Sequence, residues 1–256
     1  MKHYFFTMLL ISSLCLFSCG ISPQTGEGGT GDSLSGVDDS LGQEQLFVFD
    51  TATVKKGIRP DKALTPYRGK LLQAWTWEDA NGSNTMIFSE KEAYYINKRE
   101  EIRRAEFYVC CYAGKDQEVK KLWEITDLVD SCICDCQVSL MEETIVVRDL
   151  DGDGVAENLF IYLLNDRCDA SPVSTKLMMH SGEHKMAIRG VSQQFLGPSE
   201  AESNRFRKEL GLKPVKYKVV DEIFKQYPEI FRSYASKFWD DYIKRENEEF
   251  RLEMGY

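Results

Sequence analysis

The sequence predicts an α+β domain, a mainly antiparallel β-sheet of meanders and hairpins with C-terminal amphipathic helices packed on it. Three observations lead there. Short runs rich in aromatic and β-branched residues recur through the middle of the chain. The links between them are too short for the crossovers that parallel strands need. Beyond Ser199 the apolar spacing changes from a strand period to a helical one.

The pattern turns strand-like from Leu46. Residues 73–77 ("QAWTW") and 85–88 ("TMIF") flank "EDANGSN", where Asn81-Gly82 signals a turn because both residues tolerate positive φ. Residues 105–113 ("AEFYVCCYA") form the next run, broken by Gly114-Lys115-Asp116 before 121–126 ("KLWEIT"). Residues 143–148 and 158–164 flank an acidic loop, and 176–180 ("KLMMH") and 185–189 ("KMAIR") flank "SGEH", a further hairpin. A short helix is expected over 199–210, with Ser199 as N-cap and Gly211 as stop. A longer one opens at Pro228, a residue suited to a first helical turn. There Phe231, Tyr234, Phe238 and Tyr242 recur at steps of three and four, widened by Ile230, Ala235 and Trp239, into a stripe that a sheet must cover.

The chain has 256 residues and opens "MKHYFFTMLLISSLCLFSCG". A charged start, an apolar run and a small residue before Cys19 read as a signal peptide over 1–18. Leu16-Phe17-Ser18-Cys19 resembles a bacterial lipobox, with Cys19 as the lipidated residue, although Phe17 is bulkier than usual there. Gly20 stands where an inner-membrane retention aspartate would sit, so the expected address is the outer membrane, facing either the periplasm or the outside. Partnership with the membrane is through the lipid alone, because no other apolar stretch is long enough to span. Residues 19–45 are glycine-rich and acidic without Lys or Arg, a flexible tether. Residues 46–256 then form a single globular domain. The formal charge of −9 becomes −10 once Lys2 leaves with the signal. That balance disfavours nucleic acid as a partner, which needs clustered Lys and Arg.

Of the eight cysteines, Cys15 leaves with the signal and Cys19 carries lipid. Cys110, Cys111, Cys132, Cys134, Cys136 and Cys168 remain. In an exported protein disulfides are the default, and spacing leaves their pairing open. Zinc is the rival, since Cys132, Cys134 and Cys136 would share one face of an extended strand.

In "DLDGDGVAE" the acids fall at relative positions 1, 3, 5 and 9, as Asp149, Asp151, Asp153 and Glu157. Gly154 supplies a sharp turn, and Val155 can offer its carbonyl. Calcium wants six to eight oxygens, and this spacing wraps oxygens around one point. Position 12 is Phe160 where an EF-hand has glutamate, and the flanks are strand-like. The loop therefore resembles the calcium loops of integrin-like propeller blades, and the expected cofactor is a structural Ca2+. The alternative is a solvated acidic hairpin whose Gly and Asp serve turn geometry.

Catalytic signals are sparse. His180 and His184 lie across a Ser181-Gly182 turn and do not share a helix face. Neither a Gly-x-Ser-x-Gly elbow, a Walker loop nor His-Glu-x-x-His is present. A pair of carboxylates for glycoside hydrolysis is defined only by separation in space. Trp75, Trp77, Trp123 and Trp239 could stack on sugars, but packing is the commoner fate of such residues.

Four pieces of sequence carry a resemblance: "TWEDANGSN" (76–84), "RDLDGDGVAE" (148–157), "CDASPVSTKLMMHSGEHKMAIRG" (168–190) and "FRSYASKFW" (231–239). Through them the chain resembles a family of poorly characterised bacterial exported proteins and lipoproteins loosely labelled surface polysaccharide biosynthesis proteins. The resemblance implies a cell-envelope role and names no reaction. It also implies one cysteine before the acidic loop bonded to one after it, which here gives Cys132–Cys168. Cys110, Cys111, Cys134 and Cys136 then look like additions. The expected protein is a membrane-anchored envelope lipoprotein with a binding or structural role, its partner an envelope glycan or another protein. The alternative is an enzyme acting on envelope polysaccharide.

Overall fold

The computed structural model describes residues 54–115, 118–168, 172–192 and 199–253. The signal peptide, Cys19, the acidic tether and the strand-like start at Leu46 lie outside them. The antiparallel α+β class is what the chain adopts, with strands in two five-stranded sheets. The first holds β1 (Lys55–Lys56), β2 (Lys70–Asp79), β3 (Gly82–Asn97), β4 (Ile102–Lys115) and β5 (Glu118–Cys132), in chain order. The second holds β6 (Gln137–Arg148), β7 (Glu157–Asn165), β8 (Val173–Ser181), β9 (His184–Ser192) and β10 (Lys218–Val220). Each strand pairs antiparallel with its neighbour in sequence within a sheet, except that α1 (Glu200–Glu209) comes between β9 and β10. A 3-10 turn, Glu222–Gln226, leads into α2 (Glu229–Glu253).

Alternation decides which side of each strand is buried. Met86, Phe88, Phe107, Val109 and Ile125 of the first sheet meet Val138, Phe160, Tyr162 and Met178 of the second in one apolar layer. Phe88 meets Phe160 edge to face, with ring centroids 5.0 Å apart. The intervening residues of β7–β9, namely Leu159, Ile161, Leu177, Met179, Met186 and Ile188, face the other way. They pack against Phe231, Ala235, Trp239 and Tyr242, the helical stripe expected from the sequence. The second sheet is thus the middle layer between the first sheet and α2. The outer side of the first sheet carries a smaller cluster of Ala74, Ile87, Cys110 and Tyr112, covered by Ile58 and Tyr67.

Three local features refine the sequence expectations. In the β2–β3 turn only Gly82 takes positive φ, at 100°, while Ala80 and Asn81 form the loop. In β6 the pairing with β7 is interrupted between Met141 and Val146. Buried Thr144 repairs the ladder there: its hydroxyl donates to Met141 O at 2.6 Å and accepts from Ile161 N–H at 2.9 Å. The short helix has the expected cap, Ser199 Oγ accepting from Glu202 N–H at 3.2 Å. Its packing differs from the sheet contact expected of it. Asn204 bonds both backbone groups of Val215, and Arg207 Nε donates to Lys213 O at 2.7 Å, so polar bonds hold it to the segment that follows. Among the described residues no helix is long and apolar enough to cross a membrane.

Gly190 on β9 packs directly under Trp239 of α2. A Cβ there would lie 2.8 Å from Trp239 Cζ2 and would collide with the Tyr217 carbonyl. Gly190→Ala is therefore expected to cost about 1–3 kcal/mol as overpacking. Trp239→Ala, which empties the seat instead, is expected to cost about 3–5 kcal/mol. Urea denaturation of the two variants checks both, and a wild-type midpoint in Gly190→Ala would show that the Trp239 contact is wrong.

Candidate functional site: an acidic loop and a polar groove at opposite ends

The β6–β7 connection, the β2–β3 turn and the β8–β9 turn share one end of the sandwich. The acidic loop occupies 149–156 and closes on Glu157, the first residue of β7. Gly152 and Gly154 have φ of 79° and 87°, which lets the backbone coil over the aspartates. Buried Asp149 accepts from Gly152 N–H at 2.7 Å and Gly154 N–H at 2.9 Å. Asp153 accepts from Val155 N–H at 2.7 Å. One oxygen from each of Asp149, Asp151 and Asp153 lies within 4.8 Å of the others. Burial pushes the Asp151 carboxyl above its ordinary range, and the neighbouring Asp153 and Asp149 push it the same way.

Glu157 is 2 % exposed beneath the loop. Its Oε2 accepts from Leu150 N–H at 2.8 Å, the Ser181 hydroxyl lies beside the carboxylate and favours its charged form, and Oε1 makes no hydrogen bond of ordinary geometry. Burial pushes its carboxyl up to about 7, with a smaller push from Asp151 and Asp153. A buried carboxylate oxygen left over beside three converging aspartates fits a divalent cation, which would offset the repulsion between like charges. Asp149, Asp151 and Asp153 are the side chains whose oxygens converge, Glu157 lies beneath them outside that cluster, and Val155 lies in the same loop.

The loop does more than join β6 to β7. Ala80 N–H donates to Gly154 O at 2.8 Å, and the Asp79 carboxylate accepts from Ala156 N–H at 3.2 Å. Asp79 also accepts from Trp77 Nε1 and Asn81 N–H, at 2.9 Å and 2.7 Å. The acidic loop of one sheet is therefore docked on a turn of the other. Asp79 is a site residue that the sequence did not disclose: an Asx turn was readable in "EDAN", but its reach to Ala156 was not. Asp79→Ala removes three bonds to a charged acceptor and is expected to cost about 2–3 kcal/mol, read by urea denaturation.

The cysteine pairing implied by the resemblance is corrected. Cys168 is bonded to Cys134, with Cα atoms 5.0 Å apart, and Cys132 is a buried free thiol. Cys132 ends β5 pointing into the inter-sheet core, whereas the chain bends at Ile133 and Cys134 and brings Cys134 to Cys168 in the stretch that leaves β7. Asp135 N–H donates to Arg167 O at 3.1 Å and fixes that neighbourhood. The same bend, with the bond to Cys168, takes Cys134 away from Cys132 and Cys136, so the three-thiol face that zinc would need is not formed. Cys110 and Cys111, adjacent on β4, point to opposite sides of the first sheet.

The two histidines do not come together. His184 is exposed on its turn. His180 is 1 % exposed and stacked on Trp123 with ring centroids 3.7 Å apart, and neither ring nitrogen has a hydrogen-bond partner. Trp77, Trp123 and Trp239 are buried, as packing residues.

At the far end, the later part of β3, the starts of β4 and β6, the β5–β6 link and the end of β7 line a groove of about 700 Å³. Glu92, Arg103, Glu106, Asp135, Gln137 and Asn165 line it. Its carboxylates are engaged. Glu106 accepts from the Tyr94 and Tyr108 hydroxyls, which hold its carboxyl below the usual range. Glu92 pairs with Lys70, and Asp135 accepts from Asn165 Nδ2 at 3.2 Å. Polar groups already in hydrogen-bonding positions suit recognition of a hydroxyl-rich or peptide ligand better than proton transfer.

The architecture defines a helix-backed antiparallel β-sandwich with an acidic loop at one end and a polar groove at the other. Comparison of the chain with protein families, curated proteins and solved structures finds no match.

His180 gives the fold an acid sensitivity. Burial lowers its imidazole from 6.5 to about 3, with Lys185 adding to the effect. Between those values the unfolded chain takes up a proton that the folded chain does not. Stability from this group is complete above pH 6.5 and is lost as pH falls towards 3. The slope approaches about 1.4 kcal/mol per pH unit. Denaturation midpoints from pH 7 to 4 should fall less steeply in His180→Phe, and equal slopes in the two proteins would rule the mechanism out.

Proposed function

We propose that this protein is a lipid-anchored component of the cell envelope that acts by binding, with its two sheets clamped by a calcium-holding loop. The observation that carries the reading is the convergence of Asp149, Asp151 and Asp153 above the unpartnered Glu157 oxygen, on a loop docked against Asp79. A cation there neutralises the loop where it bonds to the neighbouring sheet, so its role is structural. The lipobox-like Leu16-Phe17-Ser18-Cys19 and the acidic tether support attachment to the outer membrane by Cys19. The resemblance to envelope proteins and the polar groove support an envelope glycan or another envelope protein as partner. Engaged groove carboxylates and a buried His180 favour binding over hydrolysis of polysaccharide.

Calorimetric titration of the full chain with calcium is expected to show one site. At a hundredfold excess over Kd the bound ion should stabilise the fold by about 2.7 kcal/mol, seen as a melting temperature several degrees higher. Asp151→Asn/Asp153→Asn should abolish both effects while leaving the ion-free melting temperature near or above that of the wild type. No heat at millimolar calcium would end the calcium reading. For the anchor, Cys19→Ser should move the protein from the membrane to the soluble fraction, and unchanged fractionation would end that part.

A further inference from the structure

The link between the two sheets from β5 to β6 is very short, residues 133–136. Cys132 stands before it, Cys134 within it and Cys136 at its end. Cys134 is bonded to Cys168. Cys132 and Cys136 are 2 % and 8 % exposed, belong to the same inter-sheet core, and have thiols in side-chain contact with each other. No such neighbour is available to the other two thiols: Cys111 faces the core from mid-β4, and Cys110 lies on the outer side beneath Pro66.

We propose that Cys132 and Cys136 form a second disulfide, which with Cys134–Cys168 makes a double staple across the passage from one sheet to the other. Residues 132 and 136 are where one sheet ends and the other begins, so the bond fixes the spacing of the sheets at the end remote from the acidic loop. Cys134 and Cys136 also line the groove, whose floor the two bonds would hold rigid. In the step, the two thiols give up two protons and two electrons to a disulfide oxidant. One S–S bond forms in the protein, one breaks in the oxidant, and the oxidant leaves as two thiols. Burial pushes the Cys132 thiol up to about 12, so the folded pair does not serve as an exchange catalyst and the bond is structural. The inference goes beyond the calcium reading and rests on export only for where the oxidant is met.

The test uses the full chain, purified without reductant, alkylated in denaturant and digested with a protease that cuts before aspartate. Peptides 130–134, 135–148 and 166–168 should be recovered as one linked species, with Cys110 and Cys111 alkylated. In the variant Cys134→Ser/Cys168→Ser, peptides 130–134 and 135–148 should remain linked through Cys132 and Cys136. A parallel sample is reduced in denaturant and refolded in a buffer of reduced and oxidised glutathione before alkylation. Alkyl label on both Cys132 and Cys136 in that sample overturns the proposal, as does a bond from Cys132 to Cys168. A pair that is bonded after glutathione treatment but labelled in material taken directly from cells upholds the proposal and overturns export.

Discussion

Strand β7 must be buried on both faces, and the rest of the molecule follows from that. Every residue from Glu157 to Leu164 is buried. Phe160 and Tyr162 need an apolar layer on one side, while Leu159 and Ile161 need another on the opposite side. A single sheet with one solvated face cannot supply both. The first sheet meets one need and α2 the other, so the middle sheet is held by two cores, and loss of either cover would expose a row of large apolar side chains.

Apolar layers set the spacing of the sheets but leave them free to slide, and polar ties fix them at three places. At one end Asp79 and Ala80 grip the acidic loop. Midway, Asp127 of β5 accepts from Tyr162 at 2.8 Å and pairs with Lys176 of β8. Near the bulge in β6, Gln73 Nε2 donates to Glu142 at 2.9 Å. The Asp79 and Asp127 ties put a partly buried carboxylate of one sheet against a donor of the other, and the third joins buried Gln73 to exposed Glu142; such bonds have a defined geometry that apolar contacts lack. At the far end the connection itself is the tie, held by Cys134–Cys168. The two candidate functional features thus sit where the sheets are joined: the acidic loop at one junction, the polar groove beside the other.

Strand positions and hairpins were legible because the side-chain period of two and short polar turns are local. The Ser199 cap, the stop at Gly211 and the α2 stripe were legible for the same reason. The Phe231–Trp239–Tyr242 face could be assigned to packing without knowing what it packs on. The acidic loop was legible as a candidate cation site because its ligands come from one stretch. Asp79 was not, since its partner Ala156 lies 77 residues away. Nor was the division into two sheets, since β5 and β6 read like any other consecutive pair. The cysteine pairing failed for a related reason: Cys132, Cys134 and Cys136 are equivalent in spacing until the bend at Ile133 and Cys134 parts Cys134 from the other two.

By itself the sequence determined most of the strands, the hairpins among them and the two helices, and the spacing of Asp149, Asp151, Asp153 and Glu157 along one loop. These depend on residues near one another along the chain, where backbone geometry converts spacing into direction. Only the tertiary structure decided that the strands form two layers, that the acidic loop rests on Asp79 of the other sheet, that His180 is sealed against Trp123, and which cysteine reaches Cys168. Those outcomes depend on which buried faces meet, and apolar side chains carry no address for a distant partner. The choice falls to the one packing that covers both faces of β7 and still gives most buried polar groups a partner.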